Sequence, residues 1–343
     1  MSLKGIFIFG ILLCEVAFAS QSSAPLEGPY LLAVTPWTPQ NRLDVSVLVK
    51  EAEYMDRAGI GGIVWPTSVE VAQLDKDGDF VLGLAALARR ATKKGEEFST
   101  RLTAVCPGAT SEEAIARVRK VQAIAEKMKC HMAILARPPD DATNQVMIAE
   151  HYRALAKETT LPVIIQTFNG KSPQPDVELL IALAKEYPSV YGWVKEESPG
   201  LQVNGRMEKL VADEAIKGVF SGWGGKGWVY QGSKIGTCGV ISQRAEYAPL
   251  FAKVWKRIRS GADASDPVLA DAYSKYLYMA NLGDIFSVYG DDEMRGPHLY
   301  VLERLGIFRN RLSRTKDGVE EWKVSEKEKR EIELRMKYCG LLQ

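Results

Sequence analysis

Lys195 closes an apolar run, Val190 to Val194, and is followed by two acids and a Ser198-Pro199-Gly200 turn. A lysine at the end of a buried strand loses hydration, which favours the neutral amine over the ammonium. A neutral amine attacks a ketone and forms a Schiff base with it. The same stretch allows a plainer arrangement, in which Lys195 pairs with Glu196, Glu197 or another acid at the surface. What converges on the lysine from elsewhere in the chain separates the two.

Other reactive or polar groups also follow apolar runs directly. Thr67 and Ser68 come just after a run ending at Trp65, and Thr167, Phe168 and Asn169 after one ending at Gln166. Ser221-Gly222 follows a third, and Ile241-Ser242 ends a fourth. Two adjacent hydroxyls with their loop N–H groups can cradle a carboxylate. As a polar loop tip or helix cap they need no ligand. Gly222-Trp223-Gly224-Gly225-Lys226-Gly227 satisfies G-x-G-x-x-G, with Glu246 near the distance of a ribose-binding acid. A dinucleotide fingerprint normally opens its domain, whereas this one lies late in the chain. Glycines there also suit a phosphate-binding barrel loop or close backbone packing. His131, His151 and His298 are scattered, and Cys106, Cys130, Cys238 and Cys339 form no Cys-x-x-Cys, so no metal site is expected.

Eight short apolar runs could carry these groups: residues 31–34, 62–65, 102–105, 132–135, 163–166, 190–194, 218–220 and 239–241. Continuous runs of this length suit parallel strands buried on both faces. Amphipathic stretches lie between them, at Asp44 to Ala58, Ser111 to Lys127 (with Ser111 as cap) and Asp176 to Tyr187. The alternation predicts a (β/α)8 barrel over residues 29–245, with a doubly wound sheet as the other α/β solution. Residues 246–343 read as a helical C-terminal extension. Asp266-Pro267 starts one of its helices, and Ser325 and Glu328 have capping-box spacing for the last. In a barrel, Lys195 and the loop residues above meet at the C-terminal mouth.

The chain of 343 residues is 46% hydrophobic, enough for a large core, and its 44 basic and 43 acidic residues leave no electrostatic footprint for nucleic acid. Lys4, the apolar residues 5–14 and Ala17-Phe18-Ala19 have the form of a secretory leader over residues 1–19, with a joint at 20–28. An N-terminal packing segment is the alternative. The leader predicts export, with no membrane association after its removal.

At these residues the chain resembles the dihydrodipicolinate synthase / N-acetylneuraminate lyase family of pyruvate-dependent class I aldolases, from about Gly28 to the C-terminus. Thr35-Pro36 is similar to the family's Thr-Pro after strand one, and Pro66-Thr67-Ser68-Val69-Glu70 to its Gly-Thr-Thr-Gly-Glu loop. Gly108-Ala109-Thr110 resembles the turn after strand three, and Gly192 to Glu196 the segment of the Schiff-base lysine. Ser221-Gly222, Gly239 to Ser242 and Cys339 to Leu342 resemble the strand-seven, strand-eight and terminal segments. The resemblance implies a (β/α)8 barrel with a C-terminal helical domain, assembled as a homo-oligomer (tetramer or dimer). It implies a 2-oxo acid or sugar-acid-derived substrate, Lys195 as nucleophile, Thr67 and Ser68 on its carboxylate, and no external cofactor. Phe168, Asn169, Ser221, Gly222 and Ile241 would line the pocket.

Departures from the family pattern bear on function. Both loop glycines are replaced, by Pro66 and Val69, and a glycine is what lets a carboxylate approach the backbone. Phe168 stands where the family has a proton-relaying tyrosine, and a phenyl ring has no donor or acceptor. Arg137-Pro138-Pro139 holds no second tyrosine, and Lys171 is the nearest substitute for the synthases' carboxylate-binding arginine. The expectation is therefore a Schiff-base lyase that is not an authentic dihydrodipicolinate synthase. A sugar-acid dehydratase, a non-catalytic acid-binding descendant and a nicotinamide oxidoreductase are the alternatives.

Overall fold

A computed structural model describes residues 25–168, 170–243, 245–286, 296–315 and 318–342. The expected leader and Asn169 lie outside the described residues. Eight parallel strands close on themselves: β1 (Gly28–Leu32), β2 (Gly62–Trp65), β3 (Arg101–Val105), β4 (Met132–Ala136), β5 (Val163–Gln166), β6 (Trp193–Glu196), β7 (Gly218–Ser221) and β8 (Gly239–Gln243). β8 pairs with β1 over Gly28 to Leu32, so the sheet is a barrel and the doubly wound alternative is excluded. Around it run α1 (Val45–Arg57), α2 (Val71–Asp77), α3 (Asp79–Ala91), α4 (Ser111–Met128), α5 (Gln145–Ala156), α6 (Val177–Glu186), α7 (Gln202–Val211) and the one-turn α8 (Trp228–Tyr230). α9 (Ala248–Arg259), α10 (Pro267–Phe286), α11 (Gly296–Arg304) and α12 (Glu326–Cys339) follow the barrel.

Register decides which residues face the axis, because partners across a parallel ladder share a face and alternate residues point to opposite faces. Lys195 pairs with Gln166 on β5 and Phe220 on β7, and Phe220 in turn with Gly239. The Phe220 ring meets that of Tyr30 at 5.0 Å from two strands away, which sets this row on the inner face. Tyr30 is in register with Ile241 on one side and Gly62 on the other. These rings fill the barrel so that Lys195 stands near its rim.

Three local expectations are corrected. β6 begins at Trp193, three residues late, because Gly192 has φ +125° and breaks the extended run that Val190 and Tyr191 suggest. The cap of α4 is Thr110, whose hydroxyl accepts from the Glu113 N–H, and Ser111 is the first helical residue. The C-terminal extension is not wholly helical: β9 (Leu312–Thr315) and β10 (Gly318–Glu321) pair antiparallel within it. The capping box of Ser325 and Glu328 is present at α12.

His151, on α5, is 1% exposed, with Nδ1 3.0 Å from the Ser111 hydroxyl. Burial pushes it down to about 4, so the folded state holds it neutral while an unfolded chain would protonate near 6.5. The unfolded state thus binds more protons between those values, and stability falls as pH falls through that window. We expect His151 to cost about 2 kcal/mol at pH 5 relative to pH 8. Urea unfolding at the two pH values checks this, because His151→Gln should flatten that part of the difference.

Candidate active site

The Lys195 side chain is 10% exposed, and its Nζ lies 2.9 Å from Oε1 of Glu197. The pairing with an acid thus exists, but it is buried in the barrel mouth instead of lying at the surface. Glu197 is two residues past the lysine, the spacing that keeps two side chains on one face of an extended strand. Gln166 donates to its Oε2 at 2.7 Å, and the Trp223 N–H reaches Oε1 at 3.3 Å. Its own N–H donates to the Thr167 hydroxyl at 2.9 Å. Gly222 lies directly against this acid: a Cβ there would sit 2.1 Å from the Glu197 Cγ.

Glu196 turns to the opposite face. It accepts from Thr167 at 3.2 Å, from the Ser198 N–H at 2.7 Å and from Arg206 on α7 at 3.1 Å. Arg206 also donates to the Pro175 carbonyl at 2.8 Å. One acid therefore anchors β6 to the helical layer while the other stays with the lysine. Trp223 ties the loops together, its indole N–H donating to the Ser198 carbonyl at 3.2 Å and its ring 5.3 Å from that of Phe168.

Thr67 is committed to an internal partner. Its hydroxyl donates to Oε2 of Glu70 at 2.6 Å, and the same oxygen accepts from Thr35 at 3.0 Å. The Trp65 indole N–H in turn donates to the Thr35 hydroxyl at 3.1 Å. Ser68 is half-buried in this turn and makes no hydrogen bond among the described residues. The carboxylate cradle read from Thr67 and Ser68 thus already holds one carboxylate, from three residues downstream.

Ser221 pairs in register with Glu196 and Val240, so its side chain faces outward, and its hydroxyl meets that of Thr237 at 3.2 Å. It does not join Lys195 on the inner row, whereas Ile241 does, on the Tyr30 side. Lys171 bonds Asp140 at 2.7 Å, and Arg137 reaches the other oxygen of that acid at 3.0 Å. The glycine-rich segment opens on a 3-10 turn, Trp223–Gly225, and the helical stretch after Gly227 is one α-turn, Trp228–Tyr230, running into a π-helical turn, Gln231–Ile235, unlike the regular helix of a dinucleotide turn. Glu246 is fully buried and paired with His298, out of reach of a ribose. Sequence reasoning missed Gln166, Glu70 and Trp223. For Glu197 as the inner-face acid the two-residue spacing was the available signal.

No protein-family model matches the chain. A 4-hydroxy-tetrahydrodipicolinate synthase of Rhizobium meliloti is 27% identical over 248 residues, covering 71% of this chain and 76% of the relative. An uncharacterized DapA-like lyase of Thermococcus kodakarensis is 24% identical over 168 residues, 49% of this chain and 54% of its own length. In three dimensions the dihydrodipicolinate synthase of Aquifex aeolicus superposes with a TM-score of 0.71 at 17% identity, over 92% of this chain and 98% of that one. That of Rhodopseudomonas palustris gives 0.73 at 13% identity, over 91% and 97%. Barrel, extension and likenesses define a (β/α)8 barrel with a C-terminal extension, the fold of these synthases. Within that class the chain is similar to dihydrodipicolinate synthases and DapA-like lyases, at identities low enough to mark it as divergent from them.

The contact of Gly222 with Glu197 is testable without knowing a substrate. Gly222→Ala must displace either the acid or the loop backbone, and overpacking of this kind typically costs about 1–3 kcal/mol. Denaturant unfolding reads the loss, and a variant as stable as the parent would show that the loop yields freely.

Proposed function

We propose that this protein is a Schiff-base lyase of the aldolase type, acting on a 2-oxo acid or a sugar-acid-derived substrate, with Lys195 as the nucleophile. What carries the reading is the amine of Lys195 on the inner row of β6, near the rim and held on a carboxylate. A protonated imine on that nitrogen is an electron sink, so a bond to the adjacent carbon can form or break without a further cofactor. Ser68 and the loop N–H groups would take the substrate carboxylate, with Thr67 shared between it and Glu70. Phe168 and Trp223 would wall the pocket, with Asn169 and Ile241 completing it. Assembly as a dimer or tetramer is part of the same proposal and rests on the family.

Pyruvate or a related 2-oxo acid with borohydride should add covalent mass to the peptide carrying Lys195, and Lys195→Arg should abolish the adduct. Peptide mass spectrometry decides. An adduct elsewhere, or none with any 2-oxo acid, counts against the reading.

The reaction named for the family's synthases is not the one proposed. Phe168 offers no hydroxyl, no tyrosine stands at Arg137-Pro138-Pro139, and Lys171 is engaged by Asp140. A bidentate guanidinium is what a carboxylated aldehyde calls for, and a point charge already paired with an acid replaces it poorly. Condensation of pyruvate with aspartate semialdehyde should therefore run at least about 10²-fold below the rate on the native substrate, in line with the loss of one general acid–base group. Comparable turnover in a coupled assay would overturn this part.

A further inference from the structure

Imine formation on a lysine moves protons twice, off the ammonium and onto the oxygen that leaves as water. Phe168 has no proton to exchange, and the Thr67 hydroxyl is taken by Glu70. Among the described residues, the group within hydrogen-bonding distance of the Lys195 Nζ is Glu197, at 2.9 Å. It is 8% exposed and fixed from three sides. Gln166 holds Oε2, the Trp223 N–H holds Oε1, and Gly222 leaves the room its methylenes occupy. A carboxylate so placed faces the amine with the same oxygen that would face a carbonyl brought to that amine.

We infer that Glu197 is the acid–base residue of imine formation, shuttling protons between the Lys195 nitrogen and the carbonyl oxygen of a bound 2-oxo acid. The inference rests on the Schiff-base reading. Oε1 takes a proton from the ammonium, and the freed lone pair forms the C–N bond while the carbonyl π pair moves to oxygen. That oxygen takes the proton from Glu197, and the carboxylate removes a second one from nitrogen. The C–O bond then breaks, the oxygen leaves with its pair and the proton from Glu197 as water, and the nitrogen lone pair closes the C=N bond. An ammonium and a ketone have become a protonated imine and water, and Glu197 ends as a carboxylate.

Glu196 cannot serve, because it faces the helical layer and is neutralised by Arg206. Around Glu197, β5 contributes the uncharged Gln166, the loop after β7 contributes Gly222 and the Trp223 N–H, and β6 contributes Lys195 as the charged group.

A purely structural role for Glu197, as counter-ion, predicts the opposite kinetic effect. A buried ammonium stripped of its anion gives up its proton more readily, so the amine should then react as fast or faster. The test is rapid-quench borohydride trapping of pyruvate by the full chain, read as the rate of adduct formation at Lys195 from pH 5 to 9. Glu197→Gln should reach the same adduct about 10²–10⁴-fold more slowly across that range. Glu197→Asp keeps the charge, guards against misfolding of the first variant, and should be slowed by less. Adduct formation in Glu197→Gln at the parental rate or above overturns the inference alone. No adduct in the parent protein overturns the Schiff-base reading and the inference with it.

Discussion

The ion pair of Lys195 and Glu197 is the contact on which the mouth of this barrel depends. Two charges taken out of water cost several kcal/mol each unless geometry and further hydrogen bonds offset it, and removing one partner typically costs about 3–5 kcal/mol. Every loop on this side of the mouth supplies part of the compensation. Gln166 comes from the end of β5, the Trp223 N–H from the loop after β7, and Thr167 receives the Glu197 N–H. The site is thus wired by hydrogen bonds into three consecutive strand ends, and its geometry follows from the barrel register beneath it.

The C-terminal extension enters through the same chain of contacts. Trp223 has φ +50°, a costly conformation for a bulky residue, and must be held by its surroundings. α10 does the holding. The Tyr273 hydroxyl donates to the Gly225 carbonyl at 2.7 Å, and that of Tyr276 to the Gly224 carbonyl. With those carbonyls fixed, the preceding N–H is aimed at Glu197. The extension therefore reaches the site through the backbone of a loop.

The barrel was legible because strands buried on both faces leave short apolar runs, and helices between them leave periodic ones. The reading failed where one residue's backbone decides the outcome, as at Gly192, whose positive φ is invisible in the run from Val190 to Val194. It failed again at β9 and β10, which are short, polar and lie far from the core pattern. Lys195 was legible as a lone cation ending an apolar run. Its partner was less so, since Glu196 and Glu197 are chemically alike and differ only in which face they take. The outward turn of Ser221 is the same effect seen from the other side. Alternation from Lys195 assigns Glu197 to the inner face, while register with Glu196 assigns Ser221 to the outer one.

The sharing of Glu70 between Thr67 and Thr35 was beyond the sequence, because Thr35 arrives from the loop after β1, 35 residues away in the chain. It also limits what the cradle can bind. Glu70 accepts two hydroxyls through one oxygen, and a second carboxylate at the same donors would meet like charge in a site of low dielectric. A bound acid must then lie toward Ser68 and the backbone, or share the Thr67 hydroxyl at a cost. Pro66 and Val69, where glycines would let a ligand close on the backbone, press the same way. The loop that carries Thr67 and Ser68 therefore has less room for a carboxylate than its glycine-bearing counterpart, while Lys195 keeps its partner Glu197. On the proposed Schiff-base function, selection among 2-oxo acids would follow from that asymmetry, through how each presents its carboxylate once its carbonyl is at Lys195.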